Sequence, residues 1–244
     1  MKNFIKISRV INPFDKTIYV EGDKSLSIRW VLLSSLSKKK SVAHNLLFSE
    51  DVKSAIACIK KLGAKVWLSK KKCKIRGVGF NYQNKKNLVL NAGNSGTLGR
   101  LILGLLVNYK NNFKLIGDKS LSKRDFSRVS TPLKKFGASF SSSKMLPLTM
   151  KGTNNPKPIQ YLENKGSAQC KTSIMFAALK SNGITKIKAK KSRNHTELLL
   201  KYLKVPLKIK EYKNYDYIEI KGVKKINPLN YKIPGDISSC SFFI

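Results

Sequence analysis

The chain has 244 residues, 41% of them hydrophobic, enough for one large domain or two small ones and too apolar for a disordered chain. Lysine and arginine number 49 against 13 acidic residues, a net charge of +36, yet the cations are spread along the chain rather than gathered in one stripe. That distribution reads as a lysine-rich surface and argues against a specific nucleic-acid binder, while the positive field still favours small anions.

No stretch approaches the roughly 20 apolar residues of a membrane span. The opening residues, Met1 to Arg9, interrupt their apolar positions with charge, unlike a signal peptide. Cys58, Cys73, Cys170 and Cys240 form no C-x-x-C pair and have no histidine close by. Such spacing fits neither a zinc site nor a disulfide framework and suits a reduced, cytoplasmic setting.

In chain order, Gly22-Asp23-Lys24-Ser25 is the first of four segments with one plan: a turn-forming cluster, a Ser or Thr, then an apolar run. Lys38 to Lys40 and Lys70 to Lys72 are expected in loops, and His44 reads as structural. Glu50 to Gly63 predicts a helix with Val52, Ile56, Ile59 and Leu62 on one face and Gly63 placed for a left-handed cap. Ala64 to Leu68 follows as a strand, with Trp67 expected in the core. Gly93-Asn94-Ser95-Gly96-Thr97 repeats the opening plan, and a helix over Thr131 to Gly137 repeats the Gly63 ending. Lys151 to Pro158 reads as a loop between units. Lys165-Gly166-Ser167-Ala168-Gln169 opens a third unit, whose helix over Asn194 to Val205 has lost the glycine, and Tyr215 to Ile220 reads as a strand.

Pro234-Gly235-Asp236-Ile237-Ser238-Ser239 opens a fourth unit, left unfinished at Ser241-Phe242-Phe243-Ile244. The serines at 25, 95, 167 and 238 lie 70, 72 and 71 residues apart, the period of a structural repeat. The expectation is an α+β protein of βαβαββ-type modules, three complete and a fourth truncated, and hence a fragment of a longer protein.

All four Ser/Thr segments fall where a loop starts a helix. Such a start presents unpaired N–H groups and the positive end of the helix dipole. A serine there is more often a cap than a ligand. Several starts related by a repeat can nevertheless face a common centre and hold an anion. Lys24 adds a point charge to the first, and Arg29 adds a planar fork suited to carboxylate or phosphate.

The segment Asp23-Lys24-Ser25-Leu26-Ser27-Ile28-Arg29 resembles the shikimate 3-phosphate grip of the 5-enolpyruvylshikimate-3-phosphate synthases. Asn94-Ser95-Gly96-Thr97-Leu98-Gly99-Arg100 and Gly117-Asp118-Lys119-Ser120-Leu121-Ser122-Lys123-Arg124 resemble that family's phosphoenolpyruvate segments. Ser167-Ala168-Gln169-Cys170-Lys171-Thr172, Ser192-Arg193-Asn194-His195-Thr196-Glu197 and Pro234 to Ser239 match three more, in the family's order. Asp125, Asn194, Gly99 and Cys240 depart from the pattern without removing a charged ligand.

The resemblance implies an enolpyruvyl transferase-like fold and transfer of the enolpyruvyl group of phosphoenolpyruvate to the 5-hydroxyl of shikimate 3-phosphate. It assigns Lys24, Ser25, Arg29, Ser167 and Gln169 to shikimate 3-phosphate. It assigns Lys24 again, Asn94, Gly96, Arg100 and Arg124 to phosphoenolpyruvate, with His195 as a further candidate. It implies no cofactor and no metal, a monomer, and a catalytic base in a second domain beyond Ile244; Asp236 is not that base. Residues 1–20 then open one domain, 21–235 form the three-module substrate-binding domain, and 236–244 begin the return. Two alternatives are a sister transferase acting on UDP-N-acetylglucosamine, which lacks the Lys24-Ser25 pairing, and a basic nucleic-acid-binding protein. A third is a decayed fragment without turnover.

Overall fold

The computed structural model describes residues 15, 17–70, 72–80, 82, 87–141 and 143–243. The expected opening strand falls mostly outside these residues, and 17–20 lead without regular structure to Gly22. The first module runs α1 (Lys24–Ser34), β1 (Ser41–His44), α2 (Glu50–Lys61), β2 (Lys65–Ser69) and β3 (Lys72–Arg76). The second runs β4 (Leu88–Asn91), α3 (Gly96–Leu106), β5 (Asn112–Ile116), α4 (Lys119–Ser122), α5 (Ser127–Lys134), β6 (Ser139–Phe140) and β7 (Leu148–Lys151). The third runs β8 (Gln160–Glu163), α6 (Ala168–Ala178), β9 (Ile184–Lys190), α7 (His195–Tyr202), β10 (Leu207–Glu211) and β11 (Tyr215–Lys221). Strand β12 (Tyr231–Lys232) and helix α8 (Ile237–Cys240) follow.

The described residues form three four-stranded sheets, in the orders β12-β1-β3-β2, β4-β5-β7-β6 and β8-β9-β11-β10. In each, the first strand runs parallel to the second and the other pairings are antiparallel. The second and third modules are therefore complete βαβαββ units. Among the described residues the first has no strand ahead of α1, and β12 pairs with β1 from far along the chain, setting Ala43 against Tyr231 and His44 against Lys232. Trp30 Nε1 donates to the Leu229 carbonyl at 2.9 Å, and Ser41 Oγ accepts from Leu229 N at 2.9 Å, fixing that return against α1 and β1.

Strand alternation explains the layering. In β9, Thr185, Ile187 and Ala189 point inward while Ile184, Lys186, Lys188 and Lys190 point out, so each sheet has one packed and one solvated face. The inward faces cover α1, α3 and α6, which are buried nearly all round, with Trp30, Leu103 and Phe176 fully shielded. None of the described helices is long and apolar enough to cross a membrane.

The structure also corrects local expectations. Trp67 is 47% exposed, because it faces outward on the edge strand β2, where the Lys40 ammonium lies 5.6 Å from its ring. Lys72 opens β3 rather than lying in a loop, and Lys151 ends β7. The helix expected from Thr131 begins at Ser127, whose N–H is held by Asp125 Oδ1 at 2.6 Å. Gly63 and Gly137 do cap their helices with φ of +94° and +99°, and the third unit makes the same turn with Lys204 at +56°.

Candidate functional site

The helix starts converge, although their caps are not all serines. Asp23 caps α1 by accepting the Leu26 N–H at 2.6 Å, and Asp236 caps α8 by accepting the Ser238 N–H at 2.9 Å. Ser25 and Ser238 thus lie inside their helices, correcting their reading as caps. Ser95 caps α3 at 3.2 Å and Ser167 caps α6 at 3.3 Å. An Asx cap and a Ser cap satisfy the same orphan donors, so the repeat survives the exchange.

A cleft of about 320 Å³ opens where the starts of α1, α3 and α6 meet. Helix α1 contributes Ser25 and Arg29, α3 contributes Thr97, and α6 with its leading loop contributes Gly166 to Gln169. The loop before α7 contributes Ser192 and Arg193. Burial lowers the Arg29 pKa to about 10, against the pull of Glu197 and Asp23, which leaves it charged at neutral pH. The Ser192 hydroxyl is shielded from solvent and has no hydrogen-bond partner among the described residues. Larger hollows of about 610 and 430 Å³ lie along strands β4–β7 and β8–β11, but no helix start lines them.

A second cationic cluster adjoins the cleft. A Cβ on Gly96 would stand 2.9 Å from Nη1 of both Arg100 and Arg124, so two guanidiniums flank this glycine. Arg100 lies 5.4 Å from the Phe126 ring, and burial pulls its pKa down, with Arg124 and Arg128 adding to the effect. Arg128 is paired instead with buried Glu163 at 3.1 Å. Asn94 Nδ2 donates to Asp118 Oδ2 at 2.5 Å, and Asp118 also accepts the Leu121 N–H at the start of α4. The two clusters are linked through Gln169, which accepts from Arg100 at 3.0 Å and donates to Thr97 Oγ1 at 2.9 Å.

The structure thus gathers Ser25, Arg29, Ser167 and Gln169 into one cleft and Asn94, Gly96, Arg100 and Arg124 beside it. Lys24 does not line the cleft; half exposed, it is paired with Asp51 at 3.6 Å. His195 does not line the cleft; its Nδ1 lies 4.0 Å from Asp23 Oδ1, and burial lowers its pKa. Sequence reasoning passed over Ser192, Arg193 and Thr97, although all three stand in segments that resemble the family's motifs. The signal available was position: Ser192 and Arg193 immediately precede a helix start, where a polar side chain faces the same centre as the dipole.

Fold and cleft together define an α+β repeat domain whose helix starts and arginines converge on one cationic hollow. A family model described as EPSP synthase (3-phosphoshikimate 1-carboxyvinyltransferase) matches residues 9–244. The chain is 39% identical over 231 residues to a 3-phosphoshikimate 1-carboxyvinyltransferase of Caldicellulosiruptor saccharolyticus, covering 93% of this chain and 53% of that relative. A Zymomonas mobilis protein of the same description is 36% identical over 242 residues, covering 98% and 53%. The EPSP synthase structure from Acinetobacter baumannii superposes with a TM-score of 0.84 at 31% identity, covering 93% of this chain and 51% of that one. The chain belongs to the EPSP synthase family. It spans about half the length of the curated relatives it matches.

Proposed function

We propose that this chain supplies the substrate-gripping half of an enolpyruvyl transfer from phosphoenolpyruvate to the 5-hydroxyl of shikimate 3-phosphate. The observation that carries the reading is the convergence of the α1, α3 and α6 starts on one cleft, with Arg29 and Arg193 in its wall. Backbone donors and guanidiniums fixed in advance hold a polyanion without reorganising. Ser25, Arg29, Ser167 and Gln169 hold shikimate 3-phosphate, joined by Ser192 and Arg193. The unpartnered Ser192 hydroxyl supports that addition. Gly96, Arg100 and Arg124, with Asn94 and Lys24, hold phosphoenolpyruvate alongside, and Gln169 sets the separation of the two anions. His195 acts from behind the wall rather than as a ligand.

In the transfer, the 5-hydroxyl oxygen adds to C2 of phosphoenolpyruvate while C3 takes a proton, and the tetrahedral intermediate then releases phosphate. Proximity and charge neutralisation are the contributions these residues can make. Among the described residues the cleft wall offers hydroxyls, an amide and arginines, and no carboxylate or imidazole to move a proton, so the chain by itself is expected to bind without turning over.

Residues 21–235 form the binding domain in this reading. Its support is the return of β12 to β1 and the pairing of the two connections: Gly22 bridges Gly235, Asp23 N donates to the Pro234 carbonyl at 2.9 Å, and Asp236 N to the Glu21 carbonyl at 3.0 Å. The four cysteines are free thiols, which suits work in the reducing cytoplasm.

Calorimetric titration with shikimate 3-phosphate is expected to give one site whose affinity falls as salt rises. Phosphate release with both substrates is expected to stay at the blank. Silence at millimolar ligand would overturn the binding assignment, and release above the blank would overturn the absence of turnover.

A further inference from the structure

Two buried threonines, outside the set assigned above, hold the guanidinium that faces the cleft, and their role toward a ligand rests on the shikimate 3-phosphate reading of that cleft. A guanidinium carries five N–H donors in a rigid fork. In Arg29, Nε donates to Thr196 Oγ1 at 2.9 Å, Nη2 to Thr172 Oγ1 at 3.2 Å, and Nη1 to the Ser25 carbonyl at 2.9 Å. Among the described residues, one donor on each terminal nitrogen is left over. The side chain is 2% exposed and the cleft is where it reaches the surface, so the remaining pair faces the hollow.

The two threonine oxygens are 2.6 Å apart, so one hydroxyl donates to the other while both accept from Arg29. Both residues are 1% exposed, and water does not replace either hydroxyl there. Their chain neighbours, Lys171 and Glu197, form an ion pair at 2.5 Å with both side chains buried. That pair ties α6 to α7 at the level where Thr172 and Thr196 meet.

We propose that Thr172 and Thr196 are positioning residues for Arg29. Braced by the Lys171–Glu197 pair, their hydroxyls fix the plane of the guanidinium so that its two free donors meet the ligand as a preformed fork. Replacing Thr196 with valine keeps the shape but strands the Nε–H in a dry site. The guanidinium then turns to find a partner and loses its aim. Serine keeps the hydroxyl and keeps the aim.

The test is a double-mutant cycle in shikimate 3-phosphate affinity on the whole chain, with the Arg29 Nε–H signal followed by nitrogen NMR in each variant. Thr196→Val should weaken binding about tenfold, and Thr196→Ser less than about threefold. Arg29→Met should weaken it further, and adding Thr196→Val to Arg29→Met should cost nothing more, because the hydroxyl acts through the guanidinium. The Arg29 Nε–H should be protected from exchange in the wild-type chain and in Thr196→Ser, and lose protection in Thr196→Val. Should Thr196→Val fail to fold, Thr172→Val carries the same cycle. Additive losses, or wild-type affinity in Thr196→Val, overturn the inference. If the wild-type chain binds nothing, the reading of the cleft fails, and the NMR still decides: an Nε–H equally protected in Thr196→Val overturns the positioning role.

Discussion

Gly96 sits between two guanidiniums, and the space it leaves is the space a ligand would need. A methyl group there comes within 2.9 Å of Arg100 and Arg124 Nη1, the far ends of flexible chains that yield by swinging away. Gly96→Ala should therefore weaken phosphoenolpyruvate binding in the presence of shikimate 3-phosphate by about tenfold, with shikimate 3-phosphate affinity within about twofold. Equal losses for both ligands would contradict the division of the site. His195 makes a second prediction. Burial, reinforced by Arg29, holds its pKa below the usual 6.5, with Asp23 and Asp236 pulling the other way. The unfolded chain takes up that proton first as pH falls, so this stability is complete above about pH 6.5 and is lost below it. His195→Gln should lose less melting temperature than the wild type between about pH 7.5 and 5.5; parallel curves would contradict this. At this scale the sequence revealed residue types but not directions. Arg29 was legible as a candidate for the cleft that it lines, whereas the Thr172 and Thr196 contacts to it were not, because their meeting depends on the packing of α6 against α7. Trp67 was misread because strand alternation alone does not say which face of an edge strand is covered.

Among the elements, the three helices ending near Gly63, Gly137 and Lys204 give the sharpest comparison. An L-residue in the left-handed region is strained by roughly 1–2 kcal/mol, and Lys204 at φ +56° is exposed, so its side chain offers little in return. Lys204→Gly should stabilise the protein by about 0.5–1 kcal/mol in urea titration, after the extra freedom of glycine in the unfolded chain is subtracted. Gly63→Ala should destabilise it by about 1 kcal/mol. A loss in the first or a gain in the second would contradict the shared cap. The helix starts were readable because caps and turns are local chemistry. The exchange of Ser for Asp at α1 and α8 was misassigned by two residues, since either side chain can take the role. Strand β12 escaped notice because it is two residues long and its partner lies 188 positions earlier.

For the whole molecule, that distant pairing completes the first of the three described sheets, which together cover three buried helices. Leu229 is fully buried on the return segment, and Leu229→Ala should cost about 2–4 kcal/mol while keeping a single unfolding transition. A separate early transition would show that the first module does not depend on its borrowed strand. The +36 charge was legible as a number, but its consequence depends on where the few acids lie. Glu163, Asp51 and Glu197 neutralise cations around the cleft, and Arg29, Arg124 and Arg193 still face it or its edge. The anion is therefore expected at the helix starts rather than on the lysine-rich sheet faces. Amide chemical shifts followed through a shikimate 3-phosphate titration distinguish the two places residue by residue. Saturable shifts are expected at Thr97, Ala168, Gln169, Ser192 and Arg193, with Lys186, Lys188 and Tyr217 on the outer sheet face unmoved. Saturable shifts confined to that outer face, or none at the helix starts, would contradict the assignment of the cleft.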